Sequence, residues 1–261
     1  MANLPALLEM LKAGAHFGHR TSKWHPNMEP FIFTDRNGVH IINLEKTQEQ
    51  LEKAGEFLKN LGMEGGTLLF VGTKKQAQDI VCEAAAKCEM PYVKERWIGG
   101  TLTNFPTIKK RIDHFVDLEN KQKSGGLEKY TKKEQNEFGK EIEGLRRRIG
   151  GLVKLPKLPD AIFILDVKTE KTALREAKKK NIPIVAVCDT NVNPDGIKYP
   201  IPANDDALKS IKIIVEYIAE AFKEGKDLAP AKAQMKKIQE EKKKESEVKN
   251  KELGEEKKEE K

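Results

Sequence analysis

Four short apolar runs govern what this chain can fold into: Val39 to Asn43 (VHIIN), Thr67 to Thr73 (TLLFVGT), Ala161 to Asp166 (AIFILD) and Ile184 to Cys188 (IVAVC). They are rich in β-branched residues and lack the alternation of a strand with one wet face. Such runs suit strands covered on both sides, as in a parallel sheet between helix layers. Between them the spacing turns helical. Leu51, Ala54, Leu58 and Leu61 recur after Thr47, Ala77, Ile80, Val81, Ala84 and Ala85 make a second face, and Ala173, Leu174 and Ala177 mark residues 169–180. Residues 205–223 carry Leu208, Ile211, Ile214, Val215, Ile218 and Phe222. Strands alternating with helices predict right-handed crossovers and a doubly wound α/β fold.

Residues 105–158 break that alternation. Pro106 can open a helix as its first residue, and Ile108, Ile112, Phe115 and Leu118 follow as one narrow stripe. Ser124, Gly125 and Gly126 turn the chain. Thr131 with Glu134 three residues later is a capping-box signature, after which Phe138, Ile142, Leu145 and Ile149 keep coiled-coil spacing. The expectation is an antiparallel coiled-coil helical hairpin inserted in the α/β body, about 27 Å long for ~18 residues per helix, ended by Gly150 and Gly151.

Charge sharpens this division. The 261 residues carry a net charge of +7. Residues 1–104 are neutral, 159–225 sum to −1, 105–158 to +6 and 226–261 to +2. A body from 1–104 plus 159–225 is therefore nearly neutral, the inserted hairpin is basic, and 226–261 reads as a solvated Lys/Glu tail of low complexity. The three cysteines, Cys82, Cys88 and Cys188, are odd in number and lack C-x-x-C spacing, so neither a disulfide framework nor a zinc knuckle is expected. No apolar run reaches the ~20 residues of a membrane span, and the N-terminus lacks the pattern of a secretory signal, which points to the cytosol.

Candidate chemistry is concentrated at a few places. Gly72 to Lys75 (GTKK) lies where a strand meets a helix, a setting that favours phosphate, yet Gly66 stands six residues before Gly72 where a P-loop needs five. A phosphate-ligand enzyme is the alternative reading; an RNA phosphate held by Lys74 or Lys75 fits better. His16, His19 and Asp189 could form a metal site at the sheet edge, although H-x-x-H outside a helix fixes no ligand geometry. No catalytic arrangement and no cofactor motif is present. Two segments suit RNA: RTSKWHP, with Arg20, Lys23, Trp24 and His25, and RWIGGTLTN, with Arg96, Trp97, Thr103 and Asn104. Cations contact phosphates, aromatic faces stack on unpaired bases, and glycines admit a close backbone; each segment could equally be a packed loop around a core Trp. Lys109, Lys110, Arg111, Arg146, Arg147 and Arg148 add charge near the base of the hairpin, and three consecutive helical arginines cannot all pair on one face.

These stretches, Ala13 to Thr47, Leu68 to Ala77, Glu95 to Ile108 (ERWIGGTLTNFPTI) and Leu158 to Ala207, occur in the order found in the small-subunit ribosomal protein S two family, which the chain resembles in its bacterial form. The resemblance spans nearly all of residues 1–225. It implies a flavodoxin-like three-layer α/β/α body with an inserted coiled-coil arm, and a structural, non-catalytic role in translation. The implied partners are small-subunit rRNA and neighbouring ribosomal proteins, ribosomal protein S one among them. The implied setting is the cytoplasmic ribosome, with no cofactor, no membrane, no small-molecule substrate and no homo-oligomer. The hairpin matches only in character, so its RNA contacts rest on charge. The tail is longer and more charged than the family's C-terminus.

Overall fold

The computed structural model describes residues 3–127 and 129–229. A short helix α1 (Leu7–Ala13) leads into strand β1 (Phe17–Arg20), 3-10 turns at Thr21–Lys23 and Pro26–Phe31, and a hairpin of β2 (Ile32–Arg36) and β3 (Val39–Ile42). Helix α2 (Leu44–Met63), β4 (Leu68–Val71), α3 (Gln78–Cys88) and β5 (Tyr92–Val93) come next. Helices α4 (Phe105–Lys123) and α5 (Lys132–Ile149) precede β6 (Ala161–Ile164), α6 (Lys171–Lys179), β7 (Ile184–Cys188) and β8 (Tyr199–Pro202). A last helix, α7, occupies residues 208–229.

The five parallel strands run in the order β5-β4-β6-β7-β8, which within the sheet is 2-1-3-4-5, one of the doubly wound orders. Side chains alternate between the faces. Leu69, Val71, Ile162, Ile164, Ile184 and Ala186 join one buried cluster with α6. Leu68, Phe70, Phe163, Val185 and Val187 join a second with α2, α3 and α7. Both faces are covered, as expected of apolar runs without alternation, and the body is three-layered. Each fully buried Leu, Ile or Phe contributes ~1.5–3 kcal/mol of apolar transfer. The edge-on pair Phe70 and Phe163, with centroids 5.7 Å apart, adds roughly 0.5–1.5 kcal/mol.

One expected strand of this sheet lies elsewhere. Val39–Ile42 is the centre of a separate antiparallel sheet ordered β1-β3-β2. The cause is local: Asn37 and Gly38 both have positive φ, 54° and 73°, and Arg36 pairs with Val39 across them. Asn-Gly in this conformation is the two-residue turn that matches strand twist, so β3 folds back on β2 instead of crossing over.

Helices α4 and α5 follow one another across residues 124–131. Thr131 and Glu134 make the expected reciprocal cap, with the Thr131 backbone N–H donating to Glu134 Oε2 at 2.9 Å. Ile108, Ile112, Phe115, Leu118, Ile142 and Ile149 are buried in the same cluster as the sheet's Leu69 and Val71. At the end of α5, a Cβ on Gly151 would collide with the carbonyl of Tyr92, so only glycine brings this turn against β5. The final helix outruns its expected end at residue 223 and includes 226–229 of the expected tail. Gly225, which reads as a stop, is where the backbone of α7 meets Lys59 of α2. The rest of the tail, 230–261, lies outside the described residues.

Candidate nucleic-acid interface

In doubly wound sheets ligands bind outside the carboxyl ends of the strands. Here that edge is sealed by the chain itself. Thr190, just after β7, accepts the His19 backbone N–H on its hydroxyl at 2.8 Å and the His25 N–H on its carbonyl at 2.8 Å. Gly18 permits this approach, since a Cβ there would stand 2.6 Å from Thr190 Cγ2. The Asn204 N–H donates to the Ala15 carbonyl at 3.0 Å, so the N-terminal sheet is fastened to the ends of β7 and β8.

Beneath this cover lies a charged cluster. Lys74 Nζ is 2.5 Å from Asp206 Oδ1, 2.9 Å from Asp205 Oδ1 and 3.8 Å from Asp166 Oδ2. Burial works against its charge, but the bonds to Asp206 and Asp205 win and raise its pKa. Asp205 is pushed up to about 6, chiefly by burial and then by Asp166 and Asp189, with Lys74 opposing. His19 Nδ1 lies 2.8 Å from Asp189 Oδ2, and that bond raises the His19 pKa against burial. Burial lowers the pKa of His16. His19 and Asp189 thus bond to each other, and among the described residues no group of three or more His, Cys, Asp or Glu could hold a metal.

The same region bears on the phosphate contact expected at Gly72 to Lys75. Glu170, buried at the start of α6, accepts the Thr73 N–H at 3.1 Å and also the Thr73 hydroxyl. A carboxylate of the protein thus takes the Thr73 amide of this junction, and Lys74 is tied to Asp205 and Asp206. Only the exposed Lys75 remains open to a polyanion from this run.

A second carboxylate from α6 organises the RWIGGTLTN segment. Glu176, 7% exposed, accepts from the Trp97 indole N–H at 3.1 Å and the Gly100 N–H at 2.8 Å on Oε1. Its Oε2 accepts from the Leu102 N–H at 2.9 Å, the Thr103 N–H at 3.1 Å and the Thr103 hydroxyl at 3.2 Å. Burial raises the pKa of Glu176, yet the backbone bonds from Gly100 and Leu102, with those of Trp97 and Thr103, outweigh it and lower the value. Gly100 has φ of +93°, which lets the loop curl around the carboxylate. Trp97 is 8% exposed and bonded inward, as in the packed-loop alternative for this segment. Thr103 likewise spends its hydroxyl inside.

The remaining candidates are at the surface. Arg20, Lys23 and Trp24 are exposed and His25 half-buried, with Trp24 tilted on His40 at 5.2 Å. Arg96, Asn104, Lys110 and Arg111 are exposed, and Lys109 lies 3.3 Å from Asp113. Arg146 pairs with Glu119 at 2.7 Å and Arg147 with Glu143 at 2.9 Å, while Arg148 Nε donates to the Gly144 carbonyl at 3.1 Å. Such exposed pairs contribute little and exchange readily. Because Gly151 abuts β5 and α4 begins just past Asn104, the structure brings Arg96, the start of α4 and the end of α5 to one region.

A doubly wound α/β protein whose ligand crevice is filled by its own side chains, with cations displayed on loops and paired helices, falls in the class of scaffold and binding proteins. Comparison with known sequences agrees: the model of the family described as ribosomal protein S2 matches residues 10–225. A small ribosomal subunit protein uS2 of Dictyoglomus thermophilum is 51% identical over 227 residues, 87% of this chain and 92% of the relative. One from Dehalococcoides mccartyi is 50% identical over 219 residues, 84% and 89% respectively. The chain belongs to the ribosomal protein S2 family.

Proposed function

We propose that this protein is a structural component of the small ribosomal subunit in the cytoplasm, holding rRNA through exposed cations around a rigid α/β body. Membership of the ribosomal protein S2 family over residues 10–225 carries this reading. The body is flavodoxin-like, a description supported by its strand order. Residues 105–158 form an antiparallel coiled-coil arm, a reading supported by the short link across 124–131 between α4 and α5 and by the apolar stripes of both helices, Ile112, Phe115 and Leu118 with Ile142 and Ile149, in one buried cluster. Its RNA-contacting residues are Arg20, Lys23, Trp24 and His25 on the first loop, Lys75, Arg96 and Asn104 at the strand exits, and the cations Lys109 to Arg111 and Arg146 to Arg148. Phosphate contacts dominate, so affinity falls steeply with salt, and the shape of folded rRNA supplies selectivity. Protein neighbours, ribosomal protein S one among them, dock on apolar surface, and exposed Leu8, Leu11, Phe17 and Phe33 supply it. The phosphate-ligand enzyme reading finds no support: Glu170 accepts the Thr73 N–H and Lys74 is held by Asp205 and Asp206. Sucrose-gradient fractionation of lysate is the test. The protein is expected to travel with the small subunit at low salt and to be released at high salt; migration at the top of the gradient in low salt refutes the reading.

A further inference from the structure

Glu176 is a buried carboxylate on a helix that otherwise shows its charges to water, and its five hydrogen bonds all go to one loop. A run of backbone N–H groups converging on a point is the arrangement by which proteins bind anions. Here the anion is internal and permanent. Three backbone N–H groups of residues 100–103 would otherwise have no acceptor inside the protein, and unsatisfied buried donors are costly. The loop therefore has one conformation while the carboxylate is present and none of comparable stability without it. Two further bonds lock its ends: the Thr101 hydroxyl donates to the Ile98 carbonyl at 2.6 Å, and the Asn104 N–H donates to the Gly100 carbonyl at 2.8 Å. Leu102 is fully buried beneath it. The residues that the loop holds outward are Arg96 before it and Asn104 after it, the latter at the N-terminal end of α4 with its Oδ1 accepting from the Thr107 hydroxyl. Glu176 itself is too deep to touch RNA.

We infer that Glu176 is the positioning residue for the rRNA contact of segment 95–104, a built-in anion that shapes the amide loop so that Arg96 and the start of α4 meet RNA in a fixed geometry. This rests on the proposed rRNA-binding role of that segment. Glutamine in place of glutamate keeps the volume but turns one acceptor into a donor facing donors, so the loop is released while Leu102 and the sheet stay packed.

The test is a double-mutant cycle on the full chain, using purified small-subunit rRNA in filter binding across a salt series, with Arg96→Gln, Glu176→Gln and the double variant. Arg96→Gln is expected to lower the salt slope by about 0.9, the value of one phosphate contact. Glu176→Gln is expected to lower it at least as much, and the double variant to bind no worse than Glu176→Gln alone. In Glu176→Ala, sodium acetate but not sodium chloride at equal ionic strength is expected to recover affinity by refilling the cradle. A wild-type slope in Glu176→Gln, additive losses in the double variant, or equal behaviour in acetate and chloride overturns the inference. So does loss of the folded far-UV circular dichroism spectrum in Glu176→Gln, since a positioning role spares the core. A wild-type slope in Arg96→Gln means that the segment makes no phosphate contact, and the reading of the segment falls together with the inference.

Discussion

Replacing Lys74 by methionine separates a structural staple from an RNA contact. The ammonium is shared by Asp205 and Asp206, with Asp166 at 3.8 Å, and it also donates to the Asp205 carbonyl at 2.9 Å. Removing one partner of a buried ion pair costs about 3–5 kcal/mol. The low end applies here, because Asp166 keeps its own bonds from the Lys168 and Thr169 N–H groups and the Thr169 hydroxyl, and Asp206 is 57% exposed. Only Asp205, 2% exposed, is left without compensation. About 3 kcal/mol in a body of this size corresponds to a fall in Tm of ~6–12 °C. The loss depends on pH with a definite sign. Asp205 already titrates near pH 6 in the folded protein, above its unfolded value, so its charged form is disfavoured and the penalty appears as pH rises through that value. Without Lys74 it titrates higher still. The deficit of Lys74→Met is therefore largest above about pH 7 and shrinks towards pH 5, where protonation removes the unpaired charge. Thermal and urea denaturation followed by circular dichroism at several pH values measure it, alongside rRNA binding over a salt series. A Tm within ~1 °C of the unaltered protein, together with a salt slope lower by about 0.9, refutes the staple and returns Lys74 to the RNA.

Two further outcomes are expected. Changing Arg146, Arg147 and Arg148 together to glutamine lowers the salt slope of rRNA binding by up to about 2.7, three phosphates' worth. Tm stays nearly constant because their ion pairs are exposed; an unchanged slope in filter binding refutes the assignment. His19 has a raised pKa through Asp189, so its contribution to stability is complete below its unfolded value of about 6.5 and is lost as pH rises through the higher folded value. His19→Gln is accordingly expected to flatten the decline in urea midpoint as pH rises above about 6.5, and an identical decline in both proteins counts against it.

The central strands were legible because burial on two faces leaves a run with no polar residue, a signal that survives without context. Val39 to Asn43 carries the same signal and misleads, since the deciding residues are Asn37 and Gly38 just before it. Strand β8 (YPIP) escapes notice because Pro200 and Pro202 argue against a strand, yet it lies at the sheet's edge, where missing donors cost nothing. Strand β5 has two residues, too few for a period. Among the site residues, exposed cations could be read from composition. The inward ones could not: Glu170 and Glu176 lie in TEKTALREAKKK, which reads as a solvated helix face, and nothing local distinguishes a carboxylate facing water from one facing amides. The burial of Trp97 has the same origin. Its acceptor is 79 residues away, and only the parallel crossover brings α6 beside that loop. A faint pointer existed in the consecutive small residues of GGTLT, which suit a backbone that must curl tightly.

The sealed sheet edge also sets the order of events when the protein meets its partner. A crevice kept open for a ligand leaves loops that are ordered only on binding, and that ordering weakens the complex. In this chain Thr190, Lys74, Glu170 and Glu176 immobilise the strand-exit loops during folding, so the entropy they lose is spent before any RNA arrives. On the proposed reading, association then requires little rearrangement of the body, and the cations on its rim are presented as a finished surface.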